Sequence, residues 1–80
     1  MFTVYLIQSL KHSDKRYVGY TADLTKRISE HNSDKVKSTK NCGPWEIVVA
    51  VNFKDEIKAK EFERYLKHGS GHAFAKRHFW

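Results

Sequence analysis

Five side chains, spread along the sequence in a definite order, have the types that chemistry on a phosphate needs. Tyr5 and Tyr17 lie in two short strand-like segments, Arg27 and His31 follow on the next predicted helix, and Glu63 lies on a later one. Phenols, a guanidinium and an imidazole can bind a phosphate or exchange protons beside it, and a carboxylate can hold a divalent cation. The set predicts a phosphate-directed site, provided that the fold brings its members together.

Glu63 is the most informative of the five because it borders an apolar helix stripe. On the helical wheel it lies about 40° from Ala59 and about 60° from Leu66. A carboxylate at the margin of a core needs a cation, a helix terminus or a metal ion as partner. One alternative is an ion pair with Lys67, one turn further on. The other is a hard cation such as Mg²⁺, which proteins often hold with one or two carboxylates plus water and substrate phosphate.

The other four residues also have structural alternatives. Arg27 can make two parallel contacts to a phosphate, or it can pair with Asp23 on the same helix face. His31 suits a general base, a phosphate donor or a surface residue. Tyr5 and Tyr17 are equally suited to packing in a sheet, since a phenol with a pKa of about 10 acts as a base only where a cation stabilises the phenolate.

The elements that must position these residues follow the order β-β-α-β-α-α. Residues 2–9 and 16–20 predict a β-hairpin with a polar turn over 11–15. Side chains alternate faces along a strand, so Tyr5 shares a face with Thr3 and Ile7, and Tyr17 shares one with Gly19. The sequence leaves open the pairing register that would place both phenols on one side.

Helices and a third strand complete the predicted fold. Thr21 or Asp23 can cap a helix that ends near residue 32. Residues 33–43 are polar and predict a loop, and the continuous apolar run within 45–53 predicts a strand buried on both faces. Asp55 can cap a helix over about 56–68, which Gly69 ends. Ser70 is a candidate cap for a short last helix over 73–78, and Phe79 and Trp80 suit packing better than binding. We expect an α+β fold with a three-stranded antiparallel sheet flanked by helices.

Composition sets limits on partner and location. Lys and Arg outnumber Asp and Glu by 15 to 9, which gives a net charge of +6 and favours a polyanionic partner such as DNA. Candidate phosphate-backbone contacts are Lys35, Lys37, Lys40 and Lys67. The single cysteine, Cys42, indicates a reducing, cytoplasmic setting. No apolar run approaches the length of a membrane span, so no membrane association is expected.

In order and spacing these residues resemble the GIY-YIG nuclease domain family. Thr3-Val4-Tyr5 and Tyr17-Val18-Gly19 stand where the family has its two triplets, separated by eleven residues, and Arg27 follows ten residues after Tyr17. The segment 59–67, AKEFERYLK, is similar to the glutamate helix of the small standalone branch, the UPF0213 or excinuclease-like type. In that branch the domain is the whole protein, so residues 1–80 are expected to be one nuclease domain.

The resemblance implies cleavage of a DNA phosphodiester bond with one divalent ion, Mg²⁺ or Mn²⁺, in DNA repair or recombination. Glu63 would bind the metal, and Tyr5 would act as general base on water or position it. Tyr17 would do the same or hold the phosphate, and Arg27 would stabilise charge that develops in the transition state. His31 matches a histidine that assists near the phosphate in some branches.

The same resemblance makes Gly19 a structural residue, which keeps the strand end open for close approach. Characterised family members commonly owe target choice to a further domain, so a protein partner that supplies specificity is expected. Two alternatives to a nuclease stay open at this point. One is a nucleic-acid-binding module of the same fold with little or no activity, and the other is a protein-interaction domain.

Overall fold

The computed structural model describes residues 1–80 and contains one antiparallel sheet with three helices. The strands are β1 (Phe2–Ser9), β2 (Arg16–Thr21) and β3 (Trp45–Phe53), arranged in the order β2-β1-β3. The helices are α1 (Leu24–Asn32), α2 (Glu56–Lys67) and α3 (Gly69–His78). The predicted α+β class and the order β-β-α-β-α-α are confirmed.

The register of the hairpin places both phenols on one face of the sheet. Tyr5 pairs with Gly19 and Ile7 pairs with Tyr17 in the antiparallel ladder between β1 and β2. Residues directly opposite each other in such a ladder project to the same side. Tyr5 and Tyr17 therefore share a face, which the alternation of side chains alone did not determine.

The strand buried on both faces is β1, so the prediction that assigned this role to the third strand is wrong. On one face of β1, Val4 and Leu6 pack against α2 and α3; on the other, Tyr5 and Ile7 pack with Trp45 beneath α1. The apolar run in β3 lies on an edge strand, and most of its residues are exposed or half-buried. Position in the sheet decides burial here, and a continuous apolar run does not reveal that position.

Helix boundaries follow the caps that the sequence predicts for two of the three helices. The Asp23 carboxylate accepts from the Lys26 amide at 3.1 Å at the start of α1. Asp55 accepts from the amides of Ile57 and Lys58 at the start of α2, and that helix ends one residue before the predicted boundary. None of the three helices has the length and apolar character needed to cross a membrane.

The last helix begins at Gly69, four residues before its predicted start, and Ser70 is not its cap. Gly69 has a φ of 51°, and His68 occupies the N-cap position without a side-chain hydrogen bond. Gly71 lies against the Tyr65 carbonyl, where a Cβ atom would overlap the backbone. Two glycines thus allow α2 and α3 to meet without a loop. The predicted loop over 33–43 contains one short 3-10 turn, Lys37–Thr39.

Candidate active site

A hydrogen-bonded chain of three buried side chains lies at the centre of the candidate site. The Tyr5 hydroxyl is 2.8 Å from Nε2 of His31, and Nδ1 of His31 is 2.8 Å from Oγ1 of Thr39. The Thr39 hydroxyl donates to the Val36 carbonyl at 3.4 Å, which leaves its oxygen free to accept from Nδ1–H. His31 is then neutral with its proton on Nδ1, and the Tyr5 hydroxyl donates to Nε2.

The protonation states of Tyr5 and His31 agree with this direction of donation. Burial raises the pKa of Tyr5 to about 12, although the neighbouring Arg27 guanidinium acts in the opposite sense. Burial also lowers the pKa of His31, and the charge on Arg27 lowers it further. At neutral pH the pair is therefore a phenol and a neutral imidazole, and both pKa shifts oppose transfer of the phenol proton to His31.

Tyr17 is the more accessible of the two phenols. Its ring is half-buried, with its centroid 6.3 Å from the ring of Tyr5 and 5.0 Å from that of His31. Gly19 lies directly over the Tyr5 hydroxyl, where a Cβ atom would overlap that oxygen and crowd the Tyr17 ring. The glycine of the second triplet thus makes room for the tyrosine of the first, and only Tyr17 presents its ring to solvent.

Arg27 projects from α1 toward the Tyr5 hydroxyl. The interaction with Tyr5 is the main cause that raises the pKa of Arg27. Its Nη1 is 3.1 Å from Oε1 of Glu30, whereas the alternative partner considered from the sequence, Asp23, caps the helix instead. Arg27 also lines a cavity of about 400 Å³. Glu30 thus fixes one end of the guanidinium. Because Arg27 is only half-buried and lines this cavity, a ligand can reach the guanidinium from the cavity.

Glu63 forms an ion pair with Lys67, with Oε2 of the glutamate 3.1 Å from Nζ of the lysine. Lys67 is one of the two partners for Glu63 that the sequence predicted. The pair is nevertheless close to the tyrosines, because Nζ of Lys67 lies 5.7 Å from the centroid of the Tyr17 ring. α2 packs on the opposite face of the sheet from Tyr17, so this contact forms around the edge made by β2. After burial and the neighbouring Tyr17, the Glu63 charge also contributes to the raised pKa of Tyr5.

The donor set near Glu63 suits a weakly held, hydrated cation. The structure contains no group of three or more His, Cys, Asp or Glu side chains arranged to bind a metal. Glu63 alone offers a carboxylate, and a quarter of its side chain is exposed. Mg²⁺ keeps several waters and often takes one or two protein carboxylates plus substrate oxygens. The residues therefore fit such an ion, on condition that Lys67 releases Glu63.

The four lysines predicted to contact a nucleic acid fall into two groups. Lys67 lies at the site, against Tyr17 and Glu63. Lys35, Lys37 and Lys40 are exposed in the connection between α1 and β3, and none of them takes part in an ion pair. That connection contributes Thr39 to the site, through its bond to His31.

Sequence reasoning did not identify Thr39 or Glu30 as members of this constellation. Thr39 is fully buried within an otherwise polar and lysine-rich segment, and its hydroxyl fixes the orientation of His31. Glu30 holds Arg27 from the next turn of α1. The spacing of three residues between Arg27 and Glu30 was visible in the sequence, but nothing in the sequence indicates that residue 39 folds back onto residue 31.

A three-stranded antiparallel sheet that presents two tyrosines beside an arginine and a glutamate defines the class of domain. Residues 1–76 match the model of the GIY-YIG catalytic domain, and the chain belongs to this family. The resemblance inferred from the two triplets is confirmed.

Three relatives illustrate the range of similarity. UPF0213 protein YsiG of Lactococcus lactis subsp. lactis (strain IL1403) is 41% identical over 66 residues, which cover 80% of this chain and 64% of that protein. The structure-specific endonuclease subunit SLX1 of Candida dubliniensis is 37% identical over 84 residues, which cover 96% of this chain and 28% of that protein. The chain thus spans less than two thirds of either relative.

The third relative is a solved structure, which supports the fold independently. The solution NMR structure of UPF0213 protein BH0048 from Bacillus halodurans matches with a TM-score of 0.56 and 31% sequence identity. The match covers 95% of this chain and 81% of that one. The arrangement of three strands and three helices is therefore shared with the UPF0213 type.

Proposed function

We propose that this chain is a metal-dependent DNA endonuclease that hydrolyses phosphodiester bonds in DNA repair or recombination, with residues 1–80 acting as one nuclease domain. The observation that carries the proposal is the assembly of Tyr17, Arg27 and the Glu63–Lys67 pair around the buried Tyr5–His31 bond. A domain that only bound DNA would not need a carboxylate beside its cationic groups. The SLX1 relatives, named as structure-specific endonuclease subunits, support the same reaction class.

The difference in burial between the two phenols suggests different roles. Tyr17 is the phenol that a water molecule on the surface can reach, so it orients or deprotonates the attacking water. Tyr5 has no exposed surface, and its hydroxyl is bonded to His31. We therefore assign Tyr5 a positioning role: its hydroxyl donates to Nε2 of His31 and holds the neighbouring side chains in place.

Arg27 and the metal ion would stabilise the negative charge that develops on the phosphate. The guanidinium is fixed at one end by Glu30 and lines a cavity, so it can bind a non-bridging phosphate oxygen where negative charge develops. Glu63 would hold Mg²⁺ or Mn²⁺, which when bound supplies a Lewis acid and lowers the pKa of coordinated water. Lys67 would leave Glu63 and bind a phosphate of the substrate instead. Lys35, Lys37 and Lys40 would contact the DNA backbone further from the site.

Partners and location are part of the same proposal. The name of the SLX1 relatives describes a subunit, and this chain spans only 28% of the Candida protein. We therefore propose that a protein partner supplies target specificity. The single free cysteine, Cys42, is consistent with a reducing, cytoplasmic setting.

The test is a cleavage assay with a matched control. The purified protein is incubated with flapped, branched, single-stranded and blunt duplex DNA in Mg²⁺ or Mn²⁺, beside Glu63→Gln and Glu61→Gln. Glu61 is exposed on the same helix, so its variant changes the net charge equally without touching the site. We expect metal-dependent cutting that Glu63→Gln abolishes and Glu61→Gln retains.

Two other results would each select an alternative function. Salt-sensitive DNA binding without any cutting, equal in both variants, would identify a binding module, because phosphate contacts release counterions. Absence of salt-dependent DNA affinity would leave only a protein-interaction domain. Cutting that survives Glu63→Gln would contradict the assignment of the metal ligand while retaining the nuclease.

A further inference from the structure

A second cavity, of about 320 Å³, lies beside the candidate site at the β2 edge of the sheet. Val18 and Leu66 contribute apolar surface to it, and Trp80 contributes an aromatic ring. Tyr17 and Lys67 belong both to this cavity and to the candidate active site. A ligand in the cavity would therefore lie directly next to any phosphate bound at Tyr17.

The lining of this cavity combines planar groups with positive charge. The guanidinium of Arg16 stacks on the Trp80 ring, with its central carbon 5.1 Å from the ring centroid. Lys67, Lys76 and His72 contribute further nitrogen groups, and no acidic side chain lines the cavity. Trp80 also packs against the core formed by β1, α2 and α3, so its position is fixed by the fold.

We propose that this cavity binds one unpaired nucleotide of a DNA substrate, with the base against the Arg16–Trp80 stack and the adjacent phosphate at Lys67 and Lys76. The position of this subsite relative to the cleaved bond rests on the proposed nuclease function. The binding itself does not, because it requires neither metal nor catalysis.

The size and chemistry of the cavity favour an unpaired nucleotide over duplex DNA. Its volume lies at the lower end of the range of about 300–1,000 Å³ for small-ligand sites, which suits one nucleoside. A base within a duplex is covered on both faces and enters such a site only after it leaves the stack. Aromatic rings and arginine guanidinium planes are the surfaces on which unpaired bases stack, and lysines match the phosphate charge.

The experiment measures binding in EDTA, so that no cleavage can occur. Fluorescence anisotropy compares a labelled oligothymidylate of about ten nucleotides, within the usual site size of single-strand-binding folds, with a blunt duplex of equal length. We expect the single strand to bind more tightly than the duplex. Trp80→Leu should weaken single-strand binding by about tenfold and change duplex binding little, while Trp80→Phe should retain most of the affinity.

Lysine variants test the phosphate contact separately from the stack. Lys76→Ala should reduce the slope of log affinity against log salt by about 0.7 for the single strand, the value for one lost phosphate contact. Lys58→Ala removes the same charge from an exposed position of α2 that does not line the cavity, and it should leave the slope unchanged. Lys76 is exposed, so this comparison holds even if Trp80→Leu fails to fold.

Equal affinity of the native protein for single strand and duplex would overturn the proposal. So would a Lys76→Ala slope identical to that of Lys58→Ala. The binding assay and the cleavage assay can fail independently. If cutting depends on Glu63 and is unchanged by substitution of Lys76 or Trp80, the nuclease proposal is retained and the nucleotide subsite is rejected. If the protein prefers single strands but does not cut DNA, the subsite is retained and the nuclease proposal is rejected.

Discussion

The Tyr5 hydroxyl and Nε2 of His31 lie 2.8 Å apart, and neither side chain is exposed to solvent. This bond joins the central strand to α1, and Thr39 satisfies the other ring nitrogen from a loop eight residues further on. Buried polar groups are stable only when they are paired, and loss of one partner costs about 1–3 kcal/mol. The same three side chains therefore contribute to the stability of the domain and to the geometry of the site.

Replacement of Thr39 by valine should destabilise the protein by about 1–3 kcal/mol, because Nδ1–H of His31 loses its acceptor in a buried position. Valine keeps the shape of threonine, so the change removes the hydroxyl with little alteration of packing. Thr39→Ser retains the hydroxyl and is the matched control. Urea unfolding compares both variants with the native protein, and a Thr39→Val variant as stable as the native protein would show that the bond to His31 contributes nothing.

Acidification should weaken the folded state through His31. Burial lowers its pKa below the value of 6.5 that the unfolded chain has. Between the folded and unfolded pKa values the unfolded chain binds more protons, so stability rises with pH across that window and falls as pH drops below about 6.5. The loss stops once pH is below the folded pKa, where both states are protonated.

Urea midpoints at a series of pH values between about 5 and 7 test this dependence. The slope should be smaller in His31→Gln, which does not titrate, and should persist when the exposed His12 is replaced by glutamine. If the native protein and His31→Gln show the same pH dependence, His31 is not the group responsible.

Much of the fold could be predicted from local patterns, because several of its boundaries depend on local chemistry. The aspartate caps at residues 23 and 55 and the two hairpin strands come from short-range hydrogen bonding and alternation. Burial could not be predicted in the same way, since it depends on which strand is central. The run over residues 47–51 in β3 is continuously apolar, yet β1 occupies the middle of the sheet.

The site was predictable in its residue types and not in its connections. The triplets, Arg27 and Glu63 have recognisable spacing, but contacts such as Tyr5–His31, 26 residues apart, require the register of β1 with β2 and the docking of α1. The Glu63–Lys67 pair shows the same limit. Its spacing of four residues was evident in the sequence, whereas the contact of Lys67 with Tyr17 exists only because α2 packs near the β2 edge.

Gly19→Ala should destabilise the protein by about 1–3 kcal/mol, the cost of an added methyl group in a filled space. The new Cβ would overlap the Tyr5 hydroxyl and displace it from His31. Gly43→Ala is the control, since a Cβ atom there meets Trp45 only at an ordinary 3.7 Å. Thermal or urea unfolding compares the two.

The double variant Tyr5→Leu with Gly19→Ala tests the cause of that loss. Leucine lacks both the hydroxyl and the ring carbon Cζ, the two atoms that the new methyl group would overlap, so the two changes together should cost less than the sum of their separate effects. Strict additivity would mean that Gly19 acts through its backbone rather than through the space it leaves for Tyr5.

Lys67 should compete with a divalent ion for Glu63, because its Nζ lies 3.1 Å from Oε2 of that carboxylate. Lys67→Met frees Glu63 and should raise Mn²⁺ affinity by about two- to fivefold, the value of a partly exposed ion pair. The same variant should bind DNA more weakly, since it loses a cation beside Tyr17. Calorimetric titration with Mn²⁺ and anisotropy with labelled DNA measure these opposite changes on one protein.

Lys60→Met is the control, because it interrupts the exposed ion pair with Glu56 on the same helix. It should alter neither the Mn²⁺ affinity nor the DNA affinity. Unchanged Mn²⁺ affinity in Lys67→Met, together with unchanged affinity in Glu63→Gln, would show that the metal does not bind at this carboxylate.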